Sequence, residues 1–229
     1  MITRCFIDEI AYVDHRSALN LLQTSSPSLV FYDREVTVGY YDPYPQVRLA
    51  KPMCLVGFMG SETHSVGYFV SSMTGLPYVE LDKLIEHEVG MSLAQLYLED
   101  GERRWRRLEA LHLSRVLKQT PPRLICLGDG SLLNRESQKL CLSSAKLVYI
   151  RRPRTALLSN IQRGRVETPG RYPYWSQRIP RSIEDLDALL RTREPTYELA
   201  HTLIDAGELT SLEVARRLMT RYGWLSEEF

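Results

Sequence analysis

The sequence predicts an α/β fold: a parallel sheet with helices on both faces, preceded by a small N-terminal β-hairpin. Two observations predict it. From Pro52 onward, short apolar runs alternate with longer amphipathic ones, the pattern of parallel strands joined by helical crossovers. Hydrophobic residues make up 44% and charged residues 25% of the 229, a balance that supports a packed core rather than disorder.

Residues 1–50 have a character of their own, and the expected division is an extension over 1–50 and a main domain over 51–229. Segment 16–22 suits a short helix. Segments 28–32 and 35–41 suit two strands around Asp33-Arg34, because Val36, Val38 and Tyr40 alternate. Asp42-Pro43-Tyr44-Pro45 then marks a boundary. Five of the 13 tyrosines fall here. Two readings stand: a hairpin packed on the main domain, since a short hairpin needs a host surface, and a partner-binding extension, since tyrosine serves interfaces.

The main domain opens with a buried strand at 53–58 (MCLVGF), which runs into a Gly-containing loop and a helix. Residues 78–81 form a second strand. Ser92 with Gln95 makes a capping box, and Gly101 follows the helix that it starts. A longer helix spans 102–118. RLICL (123–127) and KLVYI (146–150) are further buried strands, 154–163 is helical, and 202–205 is the last strand. Ser182 with Asp185, and Thr210 with Glu213, mark two more helix starts. Residues 164–180, rich in Pro, Gly, Tyr and Arg, predict a mobile loop.

Composition narrows the function. The formal charge is +1, from 29 basic and 28 acidic residues, so no global field favours nucleic acid or a membrane surface. No apolar run approaches the ~18 residues of a membrane span. Residues 1–10 contain Arg4, Asp8 and Glu9 and do not read as a signal peptide, so a cytoplasmic location is expected. Cys5, Cys54, Cys126 and Cys141 show no CxxC spacing, and the five histidines form no HExxH pair; no disulfide framework or metal site is expected.

The first strand and helix are joined by GFMGSETHSVG, residues 57–67. Strand, Gly-rich loop and helix in that order form a phosphate cradle, in which loop amides and the helix N-terminus supply partial positive charge. The working motif is GxxxxGK[ST]. Counted from Gly57, with Gly60 inside the loop, its second glycine, lysine and hydroxyl fall on Glu62, Thr63 and His64. Thr63 has no ammonium for the β- and γ-phosphates. His64 offers nitrogen where magnesium prefers oxygen, with Ser65 a partial substitute. Glu62 sets a carboxylate against the nucleotide's own charge, a repulsion of roughly 4 kcal/mol at ~4 Å and an effective dielectric near 20. Losing a preorganised charge contact costs about 3 kcal/mol more in the transition state. Glu62 is also expected to fold onto the loop amides and cap the helix in place of a phosphate.

LVGFMGS, GLPYVELDKLIEHEVGMSLAQLYLEDGERRWRRLEA, LICLGDGSLL and LLRTREPTYELA, in that order and spacing, resemble successive signature segments of shikimate kinases. The resemblance runs from about Pro52 to the C-terminus. It implies a five-stranded parallel sheet of the P-loop nucleoside-monophosphate-kinase type, with a substrate region and a lid. In that family, ATP with magnesium phosphorylates the 3-hydroxyl of shikimate. The resemblance implies that Asp82 stands where a carboxylate contacts the shikimate hydroxyls and Glu80 where one is linked to magnesium. It implies that Arg106 and Arg193 are partners of the shikimate carboxylate, a pairing that suits forked guanidiniums. The family's glycine triplet falls on Gly128, Asp129 and Gly130. Asp129 departs from it by adding a negative charge, and suits an internal pairing with Arg106 or Arg193. The lid arginine falls on Arg165 or Arg171.

Plain structural roles fit several of these residues as well. Arg106 and Glu102 are one turn apart and suit a surface ion pair. Trp105, Leu108 and Leu111 suit the core, and His87, His112 and His201 suit ordinary positions. The sequence therefore predicts a shikimate kinase-like protein without phosphoryl transfer, binding a protein partner, through residues 1–50 among other surfaces, or a small carboxylate. No cofactor is expected on that reading. The alternative is a working shikimate kinase using magnesium and ATP, with a lysine from elsewhere, Lys51 or Lys83.

Overall fold

The structure, a computed structural model, describes residues 47–167 and 179–225. The predicted N-terminal helix and hairpin lie outside them, as does the centre of the predicted lid.

Five strands are described: β1 (Met53–Val56), β2 (Tyr78–Glu80), β3 (Leu124–Cys126), β4 (Lys146–Arg151) and β5 (Thr202–Asp205). They form one parallel sheet in the order β2-β3-β1-β4-β5. Met53 pairs with Leu124 on one side and Lys146 on the other, which puts β1 at the centre. All four of its residues are buried, as are Leu147–Ile150. Continuous apolar runs are what a parallel strand needs when helices cover both faces. β5 is an edge, and its Leu203 is exposed.

The helices are α1 (Thr63–Thr74), α2 (Leu81–Val89), α3 (Leu93–Val116), α4 (Arg135–Ser144), α5 (Arg154–Glu167), α6 (Ile183–Tyr197) and α7 (Ser211–Arg221). The predicted capping box of Ser92 with Gln95 is present on α3, and the predicted helix start at Thr210 is a capping box with Glu213 on α7. Ser182 caps α6 by accepting from the Asp185 amide. As expected, Gly101 separates two helical runs within α3, with non-helical φ 76°, ψ 173° between them.

Some expectations need correcting. β1 stops at Val56, and Phe58 packs into the core from the loop instead. α5 runs on to Glu167, so Gly164 and Arg165 belong to a helix rather than to a loop. Leu111 is 46% exposed, while Trp105 is buried. Two helices went unpredicted. α2 starts directly from β2 with no side-chain cap, so no start signal marks it. α4 does carry a signal, Asn134, whose side chain accepts from the Glu136 and Ser137 amides. Cys54, Cys126 and Cys141 are buried free thiols, and burial pushes Cys126 up to about 12, out of reach of thiolate chemistry at neutral pH.

Candidate functional site

The predicted site residues gather at the carboxyl ends of the strands, where open parallel sheets bind ligands. A pocket of about 130 Å³ is lined by the loop after β1, by Glu80 and Asp82 after β2, and by Cys126–Asp129 after β3. Ser65 is not part of its lining. Its hydroxyl lies 2.9 Å from His64 Nε2 instead, while the Tyr78 hydroxyl donates to the His64 carbonyl.

The loop is held from three sides. Gly57 is required because a Cβ there would meet Ser61 Oγ at 2.4 Å and the Ile150 carbonyl at 2.9 Å. Asn160 of α5 donates to the Gly60 carbonyl at 2.9 Å. Arg152, just past β4 and 7% exposed, donates from Nε to the Ser61 carbonyl and from Nη1 to the Leu209 carbonyl.

Glu62 does not act as the predicted cap. It occupies the N-cap position of α1 but makes no side-chain hydrogen bond to the helix amides. Its carboxylate turns away: Oε1 accepts from Arg163 Nη2 at 2.9 Å, Oε2 accepts from Ser211 Oγ at 3.0 Å, and Arg152 Nη2 lies 3.7 Å from Oε2. The cationic partners supply the reason, since they offset charge that loop amides alone would have to balance. Glu62 is the one described non-glycine residue with positive φ, at 59°, a conformation that costs about 1–3 kcal/mol.

On the substrate side, a second carboxylate is also internally paired. Asp129 binds Arg193 Nη1, and its carbonyl accepts from the Tyr197 hydroxyl at 2.5 Å. Both partners come from the buried stripe of α6, which runs Leu186, Leu190, Arg193, Tyr197. Arg193 is 5% exposed and lies over the Phe58 ring, 5.7 Å from its centroid. Of the two pairings open in the sequence, the one with Arg193 is formed.

Arg106 donates to Glu109 at 2.6 Å and to Glu102 at 3.2 Å, so the expected pair with Glu102 exists within a larger network. Glu109 is 2% exposed and also accepts from Ser131 Oγ at 2.7 Å. The flanking glycines allow this closeness: a Cβ on Gly130 would sit 2.4 Å from Arg106 Nη2, and one on Gly128 would sit 2.9 Å from Glu109 Oε1. Asp82 Oδ1 is fully buried without a hydrogen bond. Burial, then Glu109 and Glu80, push the Asp82 carboxyl up to about 8, with Arg106 opposing.

Sequence reasoning missed Glu109, Arg152, Asn160, Arg163, Tyr197 and Ser211. Glu109 was legible as the residue three beyond Arg106 on a helix. Arg152 was legible as a cation just beyond a buried strand. Ser211 and Arg163 meet Glu62 only through the tertiary fold. Of the two lid candidates, Arg165 falls in the last turns of α5, and Arg171 lies outside the described residues.

For magnesium and ATP phosphates, the described residues are a poor fit. No lysine lines the pocket, and four carboxylates do: Glu62, Glu80, Asp82 and Asp129. Lys83 pairs with Glu86 at 2.7 Å, and Lys51 precedes β1 at the opposite end of the strand from the loop.

The comparisons agree with the fold. The family model for shikimate kinase matches residues 59–222. The shikimate kinase of Salinibacter ruber is 32% identical over 154 residues, covering 66% of this chain and 75% of its own. That of Thermodesulfovibrio yellowstonii is 29% identical over 176 residues, covering 77% and 97%. A solved shikimate kinase from Acinetobacter baumannii in complex with shikimate superposes with a TM-score of 0.66 at 20% identity, covering 75% of this chain and 92% of the other. One from Aquifex aeolicus gives 0.63 at 22%, covering 75% and 96%. The chain belongs to the shikimate kinase family.

Proposed function

We propose that this member of the family has lost phosphoryl transfer and acts by binding. The observation behind this is the state of the phosphate loop: Thr63 stands at the lysine position, and beside it the Glu62 carboxylate is fixed by Arg163 and Ser211. With no lysine lining the pocket and the Glu62 carboxylate anchored beside the loop, neither the charge of a bound nucleotide nor the charge developed in transfer is compensated. The partner is a protein, with residues 1–50 the first candidate segment, or a small carboxylate, which must displace Asp129 from Arg193.

A second reading keeps the kinase activity. It draws on Asp82, Arg106 and Arg193, which stand close to Gly128, Gly130 and Asp129 respectively. It needs a cation for the phosphates, and neither Lys51 nor Lys83 lines the pocket.

Thermal-shift titration with magnesium-ATP, with and without shikimate, separates the two. A ligand at 100 times its Kd adds about 2.7 kcal/mol, which is several degrees at ~2–4 °C per kcal/mol. The expected result is no shift at millimolar ATP and no ADP release with shikimate present. A clear shift together with shikimate-dependent ADP release would overturn the proposal.

A further inference from the structure

Next to the loop lies a second and larger cleft, of about 540 Å³, between α5 and the segment joining β5 to α7. Glu62 reaches into it, and Arg152, Asn160, Arg163, Glu208 and Ser211 line it. Its inner wall is the guanidinium of Arg152. Two of that group's edges are satisfied, by the Ser61 and Leu209 carbonyls. The third, Nη2, is fully buried and makes no hydrogen bond; Glu62 Oε2 stands 3.7 Å away, too far for one.

Glu62 is thus an imperfect occupant. One of its oxygens is committed to Arg163 and the other to Ser211, so it satisfies the rim and leaves the buried guanidinium short of an acceptor. It does so from a left-handed backbone that favours glycine. The donors converge on the Glu62 carboxylate: Arg152 Nη2, Arg163 Nη2, and the Ser211 hydroxyl in the first turn of an 11-residue helix, where anions are favoured. A group with three or more acceptor oxygens on one centre matches three such donors better than a two-oxygen carboxylate on a tether does.

We propose that this cleft binds a small tetrahedral oxyanion of the phosphate or sulfate class on Arg152, Arg163 and Ser211, and that Glu62 is its displaceable internal stand-in. The inference rests on the reading that the loop itself holds no nucleotide. It adds a site seated on side chains beyond β4 and α5 rather than on the loop amides.

Titration of the full chain with inorganic phosphate at constant ionic strength, followed by backbone and arginine-side-chain NMR, tests it; glycerol 3-phosphate run alongside tells a free oxyanion from an esterified one. Saturable shifts are expected at Arg152 Nε, Arg163 Nε and the Ser211 amide. Glu62→Gln, which keeps the shape and removes the competing charge, should tighten phosphate about tenfold, or 1.4 kcal/mol. Arg163→Gln in that background should reverse the gain; Arg163 is half-exposed, so the fold should tolerate its loss. Unchanged affinity in Glu62→Gln, or shifts centred on the Gly57–Gly60 amides, would overturn the site. ADP release measured on the same samples judges the loss of kinase activity separately.

Discussion

Replacing Asp129 by alanine removes the carboxylate on Arg193 and leaves the carbonyl that accepts from Tyr197 in place. Arg193 is 5% exposed. Breaking a buried pair by deleting one partner costs about 3–5 kcal/mol, because the surviving charge stays buried without compensation. At ~2–4 °C per kcal/mol the melting temperature should fall by roughly 6–20 °C. The fall should be reversible by a carboxylate from solution. Shikimate at 100 times its Kd would return about 2.7 kcal/mol to the variant, while the wild type, already paired, should not respond. The assay is thermal unfolding of both proteins across a shikimate series, with a neutral polyol as control. A loss of under ~2 °C, or a variant indifferent to carboxylates, would refute the idea that Asp129 stands in for a ligand.

Further outcomes are expected. Asp82→Asn should act on stability in a pH-dependent way. The Asp82 carboxyl is raised to about 8, so its stabilising contribution is complete below the unfolded value and is lost as pH rises through 8. The variant should match the wild type near pH 4, gain on it progressively up to about pH 8 and hold a constant difference above that in thermal melts; a difference that is flat from pH 4 to 8 would contradict the buried carboxyl. Gly57→Ala places a methyl against Ser61 Oγ and the Ile150 carbonyl and should cost about 1–3 kcal/mol in chemical denaturation. The triple change Glu62→Gly, Thr63→Lys, Asp129→Gly should give a magnesium-ATP thermal shift and ADP release with shikimate above those of the wild type; no gain in either would refute the reading that these three positions block the site.

The sheet was legible because its strands are short runs of uninterrupted apolar residues, which only a strand covered on both faces requires. The capping boxes at Ser92 and Thr210 were legible because a cap is a local device. The lack of a start signal hid α2, whose first residue follows β2 with no cap hydrogen bond. Within the site, the replaced loop positions and Asp129 stood out against a motif of fixed spacing. The direction of the Glu62 carboxylate did not, because Arg163 and Ser211 are 101 and 149 residues away along the chain. A cap is decided within one turn of helix, whereas the tertiary ion pairs that outcompeted it here exist only once α5 and α7 have packed beside the loop.

The two internal carboxylates also bear on how long the folded protein persists. An enzyme whose buried arginines wait for substrate is stabilised by mass action, so its folded fraction rises and falls with metabolite concentration. Here Glu62 and Asp129 are tethered counter-ions whose local concentration is fixed by the chain. Arg193 and Arg163 are therefore paired at every metabolite level, by Asp129 and Glu62 when ligand is scarce and by the ligand that displaces them when it is abundant. The protein's folded fraction would then vary less with the concentration of a small molecule.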